Sequence, residues 1–299
     1  MAILYGPHYE TTWRDALILP GHDDMLESLA SEVADYYKIS PQAAVLRMRE
    51  AWDERSETMH AEFGRRRSKE DVLDYYRLQQ HGVLVSMYWH SLQPDRWALN
   101  SVAALHNVFQ FAGGRRVFEF GHGVGSTGIL FATHGFEVTL GDVSPAYRDF
   151  ARYRLARRGL ACRLVDLTQE APSPESYDVV VSLDVIEHIP NPLPELQRLW
   201  GCLRPGGVMA LGICFGKDPA MPEHVLHYRL GVLDRIRALG LERVPATPLL
   251  VYYKREISAT RKAFYRFQDF WVALVEDLNA LGVPLVWRLA RTAVPPPFE

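Results

Sequence analysis

The chain has 299 residues, 48% of them hydrophobic and 23% charged, with a formal net charge of −3 at pH 7. This is ordinary globular composition, and the length suits one large domain or a domain with a sizeable addition. The negative charge argues against a general nucleic-acid binder, because phosphate binding needs a concentrated basic surface. The sequence holds no apolar run of about 18 residues and no signal-peptide pattern, so we expect a cytoplasmic protein without a membrane partner.

Residues 1–112 are predicted to form a helical cap. Ser40 stands where an N-cap belongs, and Pro41 follows at the first helical position, where its missing N–H costs nothing. Ser68 and Asp71 have the spacing of a capping box. A further segment with apolar residues at helical spacing ends before the glycine pair at 113–114, which is a typical stop signal for a helix.

Residues 113–256 alternate between short apolar runs and helix-length segments. This alternation predicts an α/β domain with a doubly wound, mostly parallel sheet, in which ligands bind at the carboxyl ends of the strands. Residues 257–299 are predicted to form a C-terminal helical extension with an apolar face. That face either completes a lid or forms a homodimer contact, and the sequence leaves both open; it carries Phe264, Phe267, Phe270 and Trp271.

Three glycines spaced two apart follow the first strand of the α/β domain, in the segment VFEFGHGVGSTG at 117–128. Gly121, Gly123 and Gly125 carry no side chains, so a ligand can lie against the backbone there. Glu119 is an acid inside this otherwise apolar strand. A carboxylate at that depth is unfavourable beside a pyrophosphate, but it suits a ligand with positive charge on its non-nucleoside half. The pattern therefore disfavours a nicotinamide dinucleotide.

Acidic residues also stand at the ends of the next three strands. Asp142 follows the glycines by about 20 residues, where a carboxylate can accept hydrogen bonds from both hydroxyls of a ribose. Asp166 can take the exocyclic amine of an adenine, with Leu167 against the ring. Asp184 follows the fourth strand directly. Acids at four consecutive strands behind a glycine loop indicate a nucleoside site rather than isolated helix caps.

This ordered set of motifs resembles that of class I (Rossmann-like) S-adenosylmethionine (SAM)-dependent methyltransferases over about residues 115–256. LRPGG at 203–207 is similar to the turn before the fifth strand of that family. The resemblance implies a Rossmann-like, seven-stranded, mostly parallel sheet with helices on both faces and an antiparallel last strand. It also implies S-adenosyl-L-methionine as the cofactor, bound by residues of the loop and the strand ends: Glu119, Gly121, His122, Gly123, Gly125, Asp142, Val143, Asp166, Leu167 and Asp184. His122 departs from the family, in which a small residue or cysteine is common at this position, and it puts an imidazole near the sulfonium or its carboxylate.

Aromatic residues are frequent in the first 112 residues, and some of them are predicted to close over the cofactor. A sulfonium is a cation, and the faces of aromatic rings attract cations. The adjacent residues Tyr75 and Tyr76 cannot both face the core of the cap, and the same holds for the rings of SMYWHSL, which contains Tyr88. We therefore predict that Tyr75, Tyr76 and Tyr88 line the cofactor pocket.

Methyl transfer is an in-line displacement in which positioning supplies most of the acceleration, and a base is needed only when the acceptor must lose a proton first. The candidate bases are His188, His224 and His227, of which His188 and His227, together with Tyr76, are the predicted catalytic residues. DVIEH at 184–188 is similar to the E-x-x-E-H metal-ligand run of small-RNA 2′-O-methyltransferases. Metal-free relatives of the fold carry the same run, and its first acid here is an aspartate, so no metal is predicted.

The sequence thus predicts a transferase that methylates a small molecule of specialised metabolism, with no nucleic-acid or membrane partner. A different SAM-consuming enzyme also fits the motifs, such as an azetidine-2-carboxylate synthase, which cyclises the methionine chain and releases methylthioadenosine. A nucleic-acid methyltransferase and a non-catalytic SAM-binding protein are compatible with them as well. The identity of the acceptor, the atom that is alkylated and the oligomeric state stay open.

Overall fold

A computed structural model describes residues 2–63, 68–79, 81–92, 96–214, 221–225, 241–243 and 250–254, with scattered single positions from 232 to 278. His227 and most of the predicted C-terminal extension at 257–299 lie outside the described residues. Of the apolar face predicted there, Phe267, Phe270 and Trp271 are described, and all three are exposed. None of the described helices is long and apolar enough to cross a membrane.

The N-terminal part of the chain forms helices whose starts follow from local capping chemistry. Ser40 accepts a hydrogen bond from the Ala43 N–H, and Ser68 and Asp71 form a capping box, so both predicted helix starts are confirmed. The helices are α1 (Ala2–Leu17), α2 (Met25–Tyr37), α3 (Pro41–Asp53), α4 (Arg55–Phe63), α5 (Lys69–Leu78), α6 (Gly82–Ser91) and α7 (Arg96–Phe111). The last of them ends just before the predicted glycine stop.

Strands and helices then alternate, as the sequence predicts. The strands are β1 (Arg116–Phe120), β2 (Glu137–Asp142), β3 (Arg163–Asp166), β4 (Tyr177–Leu183), β5 (Leu203–Gly212), β6 (Leu241–Arg243) and β7 (Leu250–Lys254). The intervening helices are α8 (Ser126–Thr133), α9 (Pro145–Arg157) and α10 (Leu193–Cys202), with a 3-10 turn at Ile186–His188.

The strands lie in one sheet in the order β3-β2-β1-β4-β5-β7-β6. Five of them, from β3 to β5 across the sheet, pair in parallel, and β7 pairs antiparallel with both β5 and β6. The predicted α/β class, with a parallel sheet and helices on both faces, is confirmed. Because β1, β2 and β4 run the same way, the segments that follow them meet at one edge of the sheet.

The two faces of the sheet carry separate hydrophobic cores. On one face, Val117 and Val181 pack in the same core as Phe150 of α9 and as Leu29 and Met48 of the N-terminal helices. On the other face, the core includes Phe118 and Val180 of the sheet with Leu196 and Leu199 of α10. The N-terminal helices therefore share their core with the sheet, and burial of each such side chain contributes about 1.5–3 kcal/mol.

Candidate functional site

A cavity of about 760 Å³ opens at the edge of the sheet where β1, β2 and β4 end. One side, here called the core wall, is formed by segments that follow the strands and includes Gly121, His122, Gly123, Asp142, Val143, Leu167, Asp184 and His188. The other side, the N-terminal wall, comes from α3 to α6 and includes Trp52, Arg55, Tyr75, Tyr76, Gln79, Ser86, Trp89 and His90. A volume of this size falls within the range of about 300–1,000 Å³ that is usual for small-molecule sites.

The glycine loop between β1 and α8 presents bare backbone to the cavity. The Gly121 N–H donates to the Gly141 carbonyl at 2.8 Å, which fixes the start of the loop against β2. A Cβ at Gly121 would lie 2.5 Å from Val185, whereas nothing lies within 4 Å of a Cβ at Gly123. Gly123 has a φ of +53° and borders open space, so it satisfies the condition for a ligand lying against the backbone.

Gly125 has another part in the loop. It is the N-cap of α8, with a φ of +77°, and it does not line the cavity. A Cβ there would lie 3.1 Å from Ala151 of α9. The structure therefore gives Gly125 a turn and a close helix contact, in place of the direct ligand contact that the sequence suggests.

Asp142 ties the loop to the start of α9. Its Oδ2 accepts from the Gly123 N–H at 2.9 Å, and its Oδ1 accepts from the Ser144 N–H at 2.8 Å. The residue is buried, yet it lines the cavity beside Val143. Each carboxylate oxygen can accept more than one hydrogen bond, so the group has capacity left for ligand hydroxyls. This geometry suits the ribose contact predicted for Asp142.

Glu119 lies beneath the loop and does not line the cavity. It is 4% exposed, and its Oε2 has no hydrogen-bond partner among the described residues. Burial, and after it the nearby Asp142, raise the pKa of the Glu119 carboxyl well above its usual value, while a backbone hydrogen bond from Gly128 offsets part of that rise. Because Glu119 does not line the cavity, its predicted role toward the positive charge of the ligand stays a prediction.

Asp166 does not line the cavity either. It accepts hydrogen bonds from Arg148 Nη2 at 2.7 Å and from the N–H and Oγ1 of Thr168 at 2.9 and 2.7 Å. Burial raises the pKa of this carboxyl, but the Thr168 hydrogen bonds and Arg148 together bring it below its ordinary value. The cavity is lined instead by Leu167, as predicted, and by Thr168 and Gln169, which sequence reasoning missed. Asp166 thus holds this turn in place, and its contact with the amine of an adenine stays a prediction.

Two of the predicted catalytic residues meet across the cavity. The Tyr76 hydroxyl lies 2.8 Å from His188 Nδ1, which is also 3.2 Å from the carbonyl oxygen of Glu223. Burial and the adjacent His224 lower the pKa of His188 to about 3, and burial and Glu223 raise the pKa of Tyr76 well above its usual value. Both groups are therefore neutral at pH 7. A bare Nδ1 accepts from Tyr76, and a protonated Nδ1 donates to Glu223, so either tautomer finds a partner here.

The 3-10 turn after β4 also gathers groups that bind metals in other proteins. Glu187, His188 and His224 each offer one ligand atom, and these atoms lie within 4.8 Å of one another. Glu187 is fully buried, its Oε1 accepts from the Cys214 N–H at 2.9 Å, and burial together with Asp184 raises the pKa of the Glu187 carboxyl well above its usual value. Asp184, which lines the cavity, has a φ of +51°, a conformation uncommon for a residue with a side chain. The absence of a metal stays a prediction.

The three predicted lid tyrosines divide between the cavity and the interior of the N-terminal helices. Tyr75 and Tyr76 line the cavity, and their rings pack edge to face at 5.0 Å. Tyr88 does not line it; its ring lies 6.1 Å from that of Trp52 and packs against the hydrophobic core. Successive residues on a helix point about 100° apart, and α6 directs Ser86 and Trp89 to the cavity, which turns Tyr88 away.

Tyr147 is a cavity residue that sequence reasoning missed. It lies in the first turn of α9, five residues after Asp142, and its hydroxyl is 3.4 Å from Ser86 Oγ. Burial raises the pKa of Tyr147 to about 12. A Cβ at Gly82 would collide with the Tyr147 hydroxyl, so the glycine at the start of α6 makes room for it. The signal in the sequence was the position of the tyrosine directly after a strand-end acid.

Comparison with known proteins gives consistent matches for the α/β part of the chain. Residues 118–209 match the family described as "Methyltransferase domain". The chain is 33% identical over 97 residues to the ubiquinone biosynthesis O-methyltransferase of Stutzerimonas stutzeri (strain A1501), which is 31% of this chain and 42% of that protein. It is also 33% identical over 103 residues to the tRNA 5-carboxymethoxyuridine methyltransferase of Escherichia coli (strain K12), which is 32% of this chain and 39% of that protein. The matches thus span less than half the length of these two relatives.

Among solved structures, the phospholethanolamine N-methyltransferase 2 of Haemonchus contortus, in complex with phosphomonomethylethanolamine and S-adenosylhomocysteine, aligns with a TM-score of 0.49 and 19% identity. The alignment covers 76% of this chain and 54% of that one. The PH0226 protein of Pyrococcus horikoshii OT3 aligns with a TM-score of 0.43 and 18% identity, over 60% of this chain and 98% of that one.

Proposed function

We propose that this chain, whose residues 118–209 form a class I SAM-dependent methyltransferase domain, transfers the methyl group of SAM to a small-molecule acceptor. The observation that carries the proposal is the cavity of about 760 Å³, which is bordered by the glycine loop and Asp142 on one side and by helices α3 to α6 on the other. A donor and an acceptor enclosed together meet the main requirement of methyl transfer, which is the alignment of the two reacting atoms.

In the proposed pose, the adenosine of SAM lies along the carboxyl ends of β2 and β3. Asp142 accepts from the ribose hydroxyls, while Val143 and Leu167 pack against the adenine. The methionine tail lies against the bare backbone at Gly121 and Gly123. The tail carboxylate then faces the N-terminus of α8, where the helix dipole favours negative charge. All five residues named in this pose border the cavity, which supports the pose.

Tyr76 and His188 are the proposed catalytic pair. In the reaction the bond between the methyl carbon and sulfur breaks while the bond from the acceptor to the methyl carbon forms, and S-adenosylhomocysteine leaves. An acceptor with a hydroxyl or ammonium group must also release a proton. Burial keeps the pKa of His188 near 3, so its ring is a weak base that orients the acceptor, and the contact with the Tyr76 hydroxyl holds the ring in place. The proton of the acceptor leaves to water, because methylation makes the acceptor atom positively charged and therefore more acidic.

The acceptor is proposed to be small because the N-terminal wall covers the sheet edge. Trp52, Trp89 and Tyr75 line the same cavity as the glycine loop, which favours an enclosed ligand over a polymer. The net charge of −3 also disfavours nucleic acid as a substrate. Since one relative methylates tRNA by name, transfer RNA belongs among the acceptors tested.

The proposal is tested by identifying the product that SAM leaves behind. The purified protein is incubated with SAM alone, with a small-metabolite extract and with bulk tRNA, and the nucleoside products are identified by mass spectrometry. S-Adenosylhomocysteine that forms only with the metabolite extract supports the proposal. Formation with tRNA moves the function to nucleic-acid methylation. Failure to bind SAM in a calorimetric titration would remove the proposal altogether.

One observation favours a second candidate, the cyclisation of SAM itself. His122 Nδ1 donates to the Gly123 carbonyl at 2.7 Å, so its Nε2 carries a lone pair, and that atom has no hydrogen-bond partner among the described residues. Burial lowers the pKa of His122, which keeps the ring neutral. A neutral imidazole in the loop that holds the methionine tail could take a proton from the α-ammonium. The freed amine would attack the γ-carbon, the bond from that carbon to sulfur would break, and methylthioadenosine would leave with azetidine-2-carboxylate as the other product. Methylthioadenosine from SAM alone, above the no-enzyme control, would establish this candidate.

A further inference from the structure

We infer that Arg154, held by Glu32, is a positioning residue for the glycine loop, which makes the N-terminal helices a working part of the SAM site. The inference rests on the proposed function in one respect, namely that SAM binds against this loop. It goes beyond that function because neither residue lines the cavity, and because it assigns a role in cofactor binding to a helix that precedes the methyltransferase domain.

The guanidinium of Arg154 forms hydrogen bonds to the loop on both sides of Gly125. Its Nη1 donates to the Val124 carbonyl at 2.9 Å and to Ser126 Oγ at 2.7 Å. Ser126 is the first residue of α8, and Gly125 between the two contacts has a φ of +77°. Arg154 therefore holds the point at which the loop turns into the helix. The planar guanidinium group suits this role better than the ammonium group of a lysine, because it points several N–H donors in fixed directions.

Glu32 of α2 holds Arg154 from the opposite side. Its carboxylate accepts from Arg154 Nε at 2.9 Å, and it also accepts from both terminal nitrogens of Arg158 at 2.7 Å each. The side chains of Glu32 and Arg154 are fully buried. Because the pair is shielded from solvent, water cannot replace Glu32 as the partner of Arg154. The position of α2 therefore fixes the orientation of the Arg154 guanidinium group.

A second link joins the same point of the loop to α6. His90 Nδ1 lies 2.8 Å from Ser126 Oγ, and His90 lines the cavity. Arginine can only donate, so Ser126 Oγ accepts from Arg154, and toward His90 the hydroxyl donates or accepts according to the tautomer of the imidazole. The loop is thus connected to two N-terminal helices through one hydroxyl. SAM binding and the docking of these helices must then favour each other, since coupling between two sites is reciprocal.

The test separates positioning from simple stabilisation by comparing two ligands. SAM has a methionine tail, which meets the loop in the proposed pose, whereas 5′-methylthioadenosine shares the adenosine and lacks the tail. Arg154→Lys keeps a positive charge next to Glu32 but removes the planar guanidinium group. We expect the Kd for SAM to rise at least tenfold and the Kd for methylthioadenosine to change less than threefold. Ser126→Ala, which leaves the ion pair intact, is expected to shift the same ratio in the same direction.

Lys254→Met provides the matched control. Lys254 is buried, and its Nζ donates to the Leu203 carbonyl at 2.6 Å, in a part of the sheet that does not line the cavity. Its replacement is expected to lower Tm while both Kd values stay unchanged. Hydrogen exchange in α2 is measured alongside, and SAM is expected to slow it in the wild type but not in Arg154→Lys.

The outcomes are decisive in each direction. Equal changes in the two Kd values, or none, for both Arg154→Lys and Ser126→Ala would show that the network only stabilises the fold. If Arg154→Lys does not fold, the ratio in Ser126→Ala decides alone. If the wild type binds neither SAM nor methylthioadenosine, the proposed function fails before the role of Arg154 is reached.

Discussion

The core wall and the N-terminal wall of the cavity are held together over different distances in sequence. In the core wall, Gly123 and Asp142 are 19 positions apart and meet because β1 and β2 are neighbours in the sheet. The N-terminal helices join the α/β part over longer distances: Tyr76 of the N-terminal wall meets His188 of the core wall across 112 positions, and Glu32 of α2 meets Arg154 of α9 across 122. The first wall is a consequence of strand order, whereas the second depends on how separate helices pack. Substitutions in the core wall should therefore change the contacts of the adenosine and the methionine tail, and those in the N-terminal wall should change the ring contacts of the sulfonium or the packing of the helices.

The largest effect is expected from Gly123→Val in the core wall. A β-branched side chain would fill the open space next to Gly123, where the SAM tail is proposed to lie, so we expect SAM binding to be lost in a calorimetric titration. Gly159→Val is the matched control, since Gly159 also has a positive φ, of +64°, with nothing within 4 Å of a Cβ, but it does not line the cavity. Both variants carry a similar backbone strain of about 1–2 kcal/mol. Normal SAM affinity in Gly123→Val would show that the loop faces another ligand.

A smaller loss is expected from Asp142→Ala, also in the core wall. The change removes the charged acceptor proposed for the ribose, which should weaken SAM binding by about 2 kcal/mol, or about 30-fold in Kd. Asp178→Ala serves as the control, because Asp178 accepts from the Arg116 N–H at 3.0 Å away from the cavity. Equal SAM affinity in the wild type and in Asp142→Ala would remove Asp142 from the proposed pose.

An effect of similar size, on stability rather than on binding, is expected where the two walls meet. Burial lowers the pKa of His188 to about 3, against about 6.5 in an unfolded chain. Between these values the unfolded state binds the extra proton, so the free energy of unfolding falls as the pH drops below about 6.5, and at pH 5 this histidine accounts for about 2 kcal/mol of the fall.

The measurement is denaturant unfolding at pH 7 and pH 5. In His188→Gln we expect the loss of stability between these two pH values to shrink by about 2 kcal/mol relative to the wild type. His60→Gln is the control, since His60 is exposed. If His188→Gln loses as much stability as the wild type between pH 7 and pH 5, then the pKa of His188 is not lowered in the folded state.

A more modest effect is expected from the rings of the N-terminal wall. Tyr75 lines the cavity, and a ring face next to a sulfonium contributes about 0.5–2 kcal/mol. Tyr75→Leu should therefore reduce the preference for SAM over S-adenosylhomocysteine, which is uncharged at sulfur, by about 3-fold to 30-fold. Tyr88→Leu should leave this preference unchanged, because Tyr88 does not line the cavity. The comparison is contradicted if the two variants behave alike.

The smallest effect is expected from a metal chelator. Glu187 Oε1 and His188 Nδ1 already bond to protein groups, Cys214 N–H on one side and Tyr76 and Glu223 on the other. We therefore expect methyl transfer to continue unchanged after dialysis against EDTA. Activity that disappears on chelation and returns with a divalent cation would instead make Glu187, His188 and His224 a metal site.

Much of the core wall could be predicted because its determinants are local. A glycine loop after β1 and an acid at the end of β2 come to the same edge of any parallel sheet, so Gly121, Gly123, Asp142 and Leu167 all border the cavity as expected. The helix starts at Ser40 and Ser68 followed from capping chemistry within four residues. Capping hydrogen bonds and the alternation of strands and helices depend on residues that are close in sequence, so a sequence pattern can predict them.

The directions of individual side chains could not be predicted in this way. Glu119 is buried without lining the cavity, and Asp166 accepts from Arg148, because each carboxyl takes the position that its neighbours allow. Tyr88 packs against the core and Trp89 lines the cavity because of the way α6 packs on other helices. The periodicity of a ten-residue helix does not predict which of its faces meets the cavity.

By itself, therefore, the sequence determined the α/β class, the place of the glycine loop and the identity of the strand-end acids. The tertiary structure alone decided that Tyr76 meets His188 and that Arg154 joins α2 to the loop. Contacts across more than 100 positions depend on how whole helices dock, and helix docking is set by the sum of many weak apolar contacts rather than by any one residue.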